Sequence, residues 1–209
     1  MLAVVAQWTG KEQVHANCVV PILVSSEQGH LKSTFCKGLL HPCLHRYYTE
    51  KFSLTSQGDA ERKLAEMALI NLAEFDRYSL VQMPQLKNLM QLSTLNLRKP
   101  HQKSYRLLPR IASFIGTSNR MDLLTDPSGS RRYICIEVKQ AINLEGIEHS
   151  QIYAQLKAEL MADRRYFFNK EEQQQIQQHN LSFYRQTLAE EVLRDCFRPA
   201  FEEDTYELL

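Results

Sequence analysis

Apolar residues gather in short β-branched runs divided by polar turns, while helical spacing appears between the runs and towards the end of the chain. Val19 to Val24 is the first run, and Pro21 inside it leaves a gap in any hydrogen-bond ladder. Ala68 to Leu72, Ile111 to Ile115 and Arg132 to Val138 are three more. Short runs without alternation suit strands covered on both faces, as in a parallel sheet. Residues 1–8 predict a short helix with Leu2, Val5 and Ala6 inward. Phe35 to Leu40 predicts another, limited by Pro42, and Ala60 to Met67 a third. Pro84 suits the first turn of a fourth helix, which runs to about Leu92 with Leu86, Leu89 and Met90 on its apolar face.

The period then changes. Leu95 and Leu97 alternate with Thr94, Asn96 and Arg98, and Tyr105 to Leu108 resumes an extended pattern after a break at Lys99 to Lys103. This predicts a β-hairpin with a basic tip. Asp126-Pro127-Ser128-Gly129 reads as a turn. From Ser150 the chain reads as helical, with Ile152, Leu156 and Leu160 spaced by four, an exposed helix over Glu171 to Gln178, a last short helix over Ala189 to Phe197 and a frayed acidic tail from Glu202. Alternation of strands and helices predicts an α/β domain with a mostly parallel sheet flanked by helices, a β-hairpin insertion and a C-terminal helical extension. The domain takes residues 1–139 and the extension 140–209.

Composition excludes several classes. With 44% hydrophobic and 23% charged residues in 209, the chain is not a disordered, collagen-like or disulfide-framed protein. No apolar run approaches the ~20 residues that span a bilayer, so no membrane contact is expected. The start carries neither a basic leader nor a small-residue cleavage site, and the five cysteines form no C-x-x-C pair, so a cytoplasmic location is expected. The net charge of +1 hides a division. Between Asp76 and Asp122 there is no Asp or Glu, but Arg77, Lys87, Arg98, Lys99, Lys103, Arg106, Arg110 and Arg120 are present. From Glu137 onward fourteen acidic residues face eight basic ones.

The loop after the first strand, Ser25-Ser26-Glu27-Gln28-Gly29-His30-Leu31-Lys32-Ser33-Thr34, has phosphate-loop character. Backbone amides of residues 28–34 would face an anion, Lys32 would reach the phosphates, and the Ser33 hydroxyl would meet Mg²⁺. Ser26 and Leu31 stand where that pattern has glycine, so an ordinary strand-to-helix turn with a surface lysine is the competing reading. After the second run, Glu74 is placed to polarise a water, Ala73 stands where a Mg²⁺-binding Asp is expected, and Asp76 is the nearest substitute. Asn119, beyond the third run, is a candidate for orienting that water, and Arg131 and Arg132 for reaching a neighbour's nucleotide. Lys99, His101 and Lys103, flanked by Arg98 and Arg106, suit a nucleic-acid backbone. Cys36, His41, Cys43 and His45 have the composition of a metal site, but the cysteine spacing is wrong for a zinc finger.

Taken in order, Ser25 to Phe35, Ile70-Asn71-Leu72-Ala73-Glu74-Phe75-Asp76-Arg77, Ile115 to Arg120 and Leu124 to Arg132 resemble the virulence-associated protein E family over roughly residues 1–200. The resemblance implies a P-loop NTPase-like fold akin to superfamily 3 helicases, found in phages, plasmids and genomic islands. It implies ATP and Mg²⁺ as cofactors. DNA, further copies in a ring and a primase-like protein are the partners it implies. Lys32 and Ser33 match the family's phosphate and Mg²⁺ ligands, Glu74 its catalytic carboxylate, Asn119 its polar sensor, and Arg131 with Arg132 its Gly-x-Arg-Arg segment. The departures are Ser26, Leu31 and Ala73; without turnover, such a chain would be a degenerate module that binds DNA or partner subunits.

Overall fold

The computed structural model describes residues 1–10, 17–98, 104–125, 127–186, 189, 192, 193, 196 and 197. Helix α1 (Leu2–Trp8) precedes strand β1 (Val20–Val24), and α2 (Lys32–Gly38) follows the loop. Next come β2 (Tyr48–Thr49), α3 (Gln57–Glu66), β3 (Leu69–Leu72) and α4 (Gln82–Gln91). The hairpin β4 (Thr94–Arg98) and β5 (Tyr105–Pro109) leads into β6 (Ser113–Ser118) and β7 (Tyr133–Glu137), and α5 (His149–Met161) and α6 (Lys170–His179) follow.

Five strands form one sheet in the order β2-β3-β6-β1-β7, with every neighbouring pair parallel. Burial on both faces explains the unbroken apolar runs. Val20, Ile22 and Val24 point into the larger core with Ile70, Leu72, Phe114 and Tyr133, whereas Leu23, Leu69 and Ile115 point to the opposite face under Cys36 and Leu40. The third strand continues to Ser118, beyond the Ile115 end expected from sequence. Gly116 permits this: a Cβ there would sit 3.3 Å from Cγ1 of Ile22 on the neighbouring strand.

The helices after residue 140 fold back onto this core. Leu160 packs with Val5 and Ala6 of α1, and Phe183 joins the main core. Buried Asn180 donates from Nδ2 to the carbonyls of Ser130 (3.0 Å) and Tyr133 (2.7 Å) and accepts from the Cys135 amide (3.4 Å). Helix α6 starts with a reciprocal cap between Asn169 and Glu172, worth about 1 kcal/mol. Of the residues spaced by four in α5, Ile152 is 40% exposed and Leu160 is buried.

Arg110 departs most from its sequence reading. It belongs to the acid-free basic stretch, yet it is 3% exposed. Its guanidinium donates to the carbonyls of Leu89 (3.3 Å) and Met90 at the end of α4, to Gln7 Oε1 (3.0 Å) and to the Asn17 carbonyl (2.6 Å). A cation is favoured there by the carbonyl end of the helix. Among the described residues no helix is long and apolar enough to cross a membrane.

Candidate functional site

The carboxyl ends of β1, β6 and β3 lie side by side, so the segments that follow these strands meet at one edge of the sheet. After β1 the chain turns tightly. Ser25 Oγ accepts from the Glu27 amide (3.1 Å) and donates to the Glu27 carbonyl (2.9 Å). His30 Nδ1 lies 2.9 Å from Ser25 Oγ and 3.1 Å from the Val138 carbonyl, and its Nε2 is 3.3 Å from the Glu27 carboxylate. The His30 carbonyl accepts from the Ile142 amide (3.2 Å). The segment after β7 therefore braces one side of the loop, while residues 26–29 stay exposed.

Two loop positions have positive φ, Gly29 at 87° and Leu31 at 58°. Gly29 meets that demand without a Cβ. Leu31 meets it at a cost of about 1–2 kcal/mol, with a side chain 45% exposed. Ser26 is not in the left-handed region, so the absence of glycine there strains nothing. Replacing Leu31 by Gly removes the Cβ clash, and the greater freedom of glycine in the unfolded chain takes back part of the gain. A net stabilisation of about 0.5–1 kcal/mol is expected in thermal unfolding of L31G; a loss of stability would show that the leucine side chain holds the loop.

Lys32 is 8% exposed and its ammonium points across the sheet edge. It donates to Asn119 Oδ1 at 2.9 Å and, more weakly, to the carbonyls of Ser25 and Glu27 at 3.4 Å each. Burial lowers its pKa from the ordinary 10.5. The two long bonds fall outside the usual 2.7–3.2 Å range, so phosphate oxygens can displace these carbonyls from the ammonium with little loss. Gln28, Gly29, Ser33 and Thr34 are exposed around it.

The other predicted residues divide. Asp76 Oδ1 accepts from Ser118 Oγ at 2.8 Å, so this carboxylate stands beside the residue preceding Asn119. Glu74, with φ 53°, pairs instead with Arg77 at 2.7 Å and lines a separate cleft of 210 Å³ with Phe52, Leu54, Tyr78 and Gln82. Arg131 and Arg132 end a 3₁₀ turn just before β7, at the amino end of the sheet. Tyr133 pairs with Val20, so the arginines are about one strand length, roughly 15 Å, from this chain's own loop. Cys36 is buried and Cys43 exposed, and among the described residues no three His, Cys, Asp or Glu side chains gather to hold a metal ion.

The acid-free stretch between Asp76 and Asp122 carries fewer free charges than the sequence suggests. Besides Arg110, Arg77 is paired with Glu74, and Arg120 with Asp122 at 2.8 Å. The Arg120 guanidinium holds the Asp122 carboxyl below its ordinary range. Lys99, His101 and Lys103 lie outside the described residues, as does the Arg98 side chain, while Arg106 is exposed on β5. Leu95 and Leu97 anchor the ribbon in the core, whereas Tyr105 and Leu107 are 61% and 72% exposed.

Sequence reasoning missed a second polar cluster on the same edge. Asn71 in β3 and the Tyr48 hydroxyl both bond Glu50 Oε1, at 3.2 and 2.8 Å. One available signal was an asparagine within the apolar run Ala68 to Leu72, since a buried amide needs a partner.

Among families, the virulence-associated protein E-like domain matches residues 8–185. No curated protein matches. Similar solved structures include the apo NrS-1 C terminal region (305-718), at 16% identity and TM-score 0.48, which covers 87% of this chain and 40% of that one. An A form apo structure of the same region has 17% identity and TM-score 0.45, over 86% of this chain and 38% of that one. A further A form structure has 18% identity and TM-score 0.47, over 86% and 39%. This chain thus spans less than half the length of those it matches.

Proposed function

The chain belongs to the virulence-associated protein E-like domain family, and from that premise we propose that it is an ATP-binding, ATP-hydrolysing, helicase-like domain acting on DNA in the replication of a mobile genetic element. The observation that carries this reading is the 2.9 Å contact between the Lys32 ammonium and Asn119 at the carboxyl ends of two adjacent parallel strands. A buried cation there, beside an exposed loop with a glycine at φ 87°, is a seat for a triphosphate.

The residues have separate tasks. Lys32 and the loop amides of residues 28–34 hold phosphate oxygens, and Asn119 keeps Lys32 aimed and faces the terminal phosphate. The Ser33 hydroxyl offers Mg²⁺ a hard oxygen donor beside the phosphate seat, whereas the Asp76 carboxylate is engaged by the Ser118 hydroxyl. Bound Mg²⁺ supplies neutralisation of charge that develops on the phosphates. Glu74 polarises water only after it leaves Arg77. That pair is exposed on both sides, at 51% and 74%, and so is worth at most about 1 kcal/mol. Arg131 and Arg132 reach a nucleotide only on a neighbouring copy, because they stand at the opposite end of the sheet. DNA contact falls to the hairpin, where Arg106 supplies charge and Tyr105 a ring for stacking.

Ala73 favours a second reading, in which the chain binds nucleotide and DNA without turnover. DNA-stimulated phosphate release separates the two. Under the first, the wild type turns over ATP and Glu74→Gln loses about 100-fold or more, in line with removal of a general base. Equal rates in both proteins would refute catalysis at Glu74, and no release by either would leave the second reading.

A further inference from the structure

Asn71 is the anomaly of β3. It is fully buried in a strand otherwise made of Leu69, Ile70 and Leu72. A carboxylate only accepts, so the bond to Glu50 fixes Nδ2 on that side. Oδ1 is then left buried without a hydrogen-bond partner among the described residues. Native proteins rarely leave such an oxygen unmet.

Its position is informative. Asn71 shares a strand face with Leu69, which packs against Cys36 of α2, so Asn71 lies on the α2 side near the carboxyl edge of the sheet. The Tyr48 hydroxyl that bonds Glu50 also reaches the carbonyl of Ser33 at 3.5 Å, one residue after Lys32. Burial, and secondly the charge of Glu50, push the Cys36 thiol up to about 12, which places that charge within electrostatic reach of α2. Both hydrogen bonds of Glu50 fall on Oε1, and Oε2 has no partner among the described residues.

A carboxylate here opposes an incoming triphosphate unless a cation stands between them. We propose that Glu50 and the Oδ1 of Asn71, together with the Ser33 hydroxyl, form the divalent-cation subsite of the phosphate loop, in place of the carboxylate that Ala73 lacks. Mg²⁺ takes one or two protein oxygens and completes its shell with phosphate and water, so this sparse set suffices. Tyr48 is the positioning residue: its hydroxyl holds Oε1 and leaves Oε2 to the cation. The inference rests on the nucleotide-binding reading and deepens it.

Titration calorimetry of the full chain with a non-hydrolysable ATP analogue, once in Mg²⁺ and once in EDTA, tests it. In the wild type Mg²⁺ tightens binding by about tenfold or more. Glu50→Gln is expected to shrink that gain to about threefold or less, while binding in EDTA holds or improves because a repelling charge is gone. Adding Asn71→Asp to Glu50→Gln returns a carboxylate to the subsite and restores the Mg²⁺ gain; Asp76→Asn leaves it intact. A full Mg²⁺ gain in Glu50→Gln, or its loss in Asp76→Asn, overturns the subsite and leaves nucleotide binding standing. Failure of the wild type to bind the analogue in either buffer defeats the nucleotide reading, and the subsite with it.

Discussion

Arg110→Met is expected to lower the stability of the fold by about 3–5 kcal/mol, the largest loss of any single substitution considered for this chain. The side chain it removes serves two purposes. It caps the last carbonyls of α4 through Leu89 and Met90, and it ties α1 to the sheet through Gln7 and the Asn17 carbonyl. Gln7 Nε2 also donates to the Ala112 carbonyl at 2.6 Å, and Asn17 Nδ2 to Ser113 Oγ at 3.0 Å, so the network reaches into β6. Methionine fills much of the volume but satisfies none of the acceptors, each of which then costs about 1–3 kcal/mol unless water reaches it. For a domain of this size the loss corresponds to a fall in Tm of about 10 °C. Urea and thermal unfolding of the variant check it. A loss under about 1 kcal/mol would mean that the buried cation spends nearly as much in desolvation as it gains.

Lys32→Met is expected to do the reverse: little harm to the fold and a large loss of function. Without nucleotide, burial lowers the Lys32 pKa, so the folded chain releases that proton more readily than the unfolded chain. Stability then rises with pH from the lowered folded value up to the ordinary 10.5, and the methionine variant lacks that rise. With nucleotide bound, a charge-assisted contact worth about 1.5–3 kcal/mol is missing, which weakens affinity by about 10- to 150-fold. Comparing pH-dependent melts with nucleotide titrations of the same variant separates the two effects. A variant that binds ATP as the wild type does would move the phosphate seat away from Lys32.

Strands β1, β3 and β6 were legible because each is buried on both faces and so reads as an apolar run. Lys32 and Asn119 were legible as well, since each directly follows or closely trails such a run. The Glu50 cluster was not. Strand β2 has two residues, too few to show a period, and its pairing with β3 is what brings Glu50 to Asn71. Arg110 read as part of a basic surface because charge along a sequence says nothing of which cations the fold encloses. Leu31 shows a further limit: a motif that asks for glycine is asking for a backbone angle, and here leucine adopts that angle. Glu74 sits in the expected order along the chain, but its positive φ and the Arg77 pair direct it into a neighbouring cleft.

Whether the edge of the sheet holding Lys32 and Asn119 seats a triphosphate is tested most directly by the melting temperature of the intact chain with and without ATP and Mg²⁺. At about 100 times the dissociation constant, ligand binding adds about 2.7 kcal/mol, which raises Tm by about 5–10 °C in the wild type and far less in Lys32→Met. A wild-type melt that ATP leaves unmoved at millimolar concentration would contradict the account.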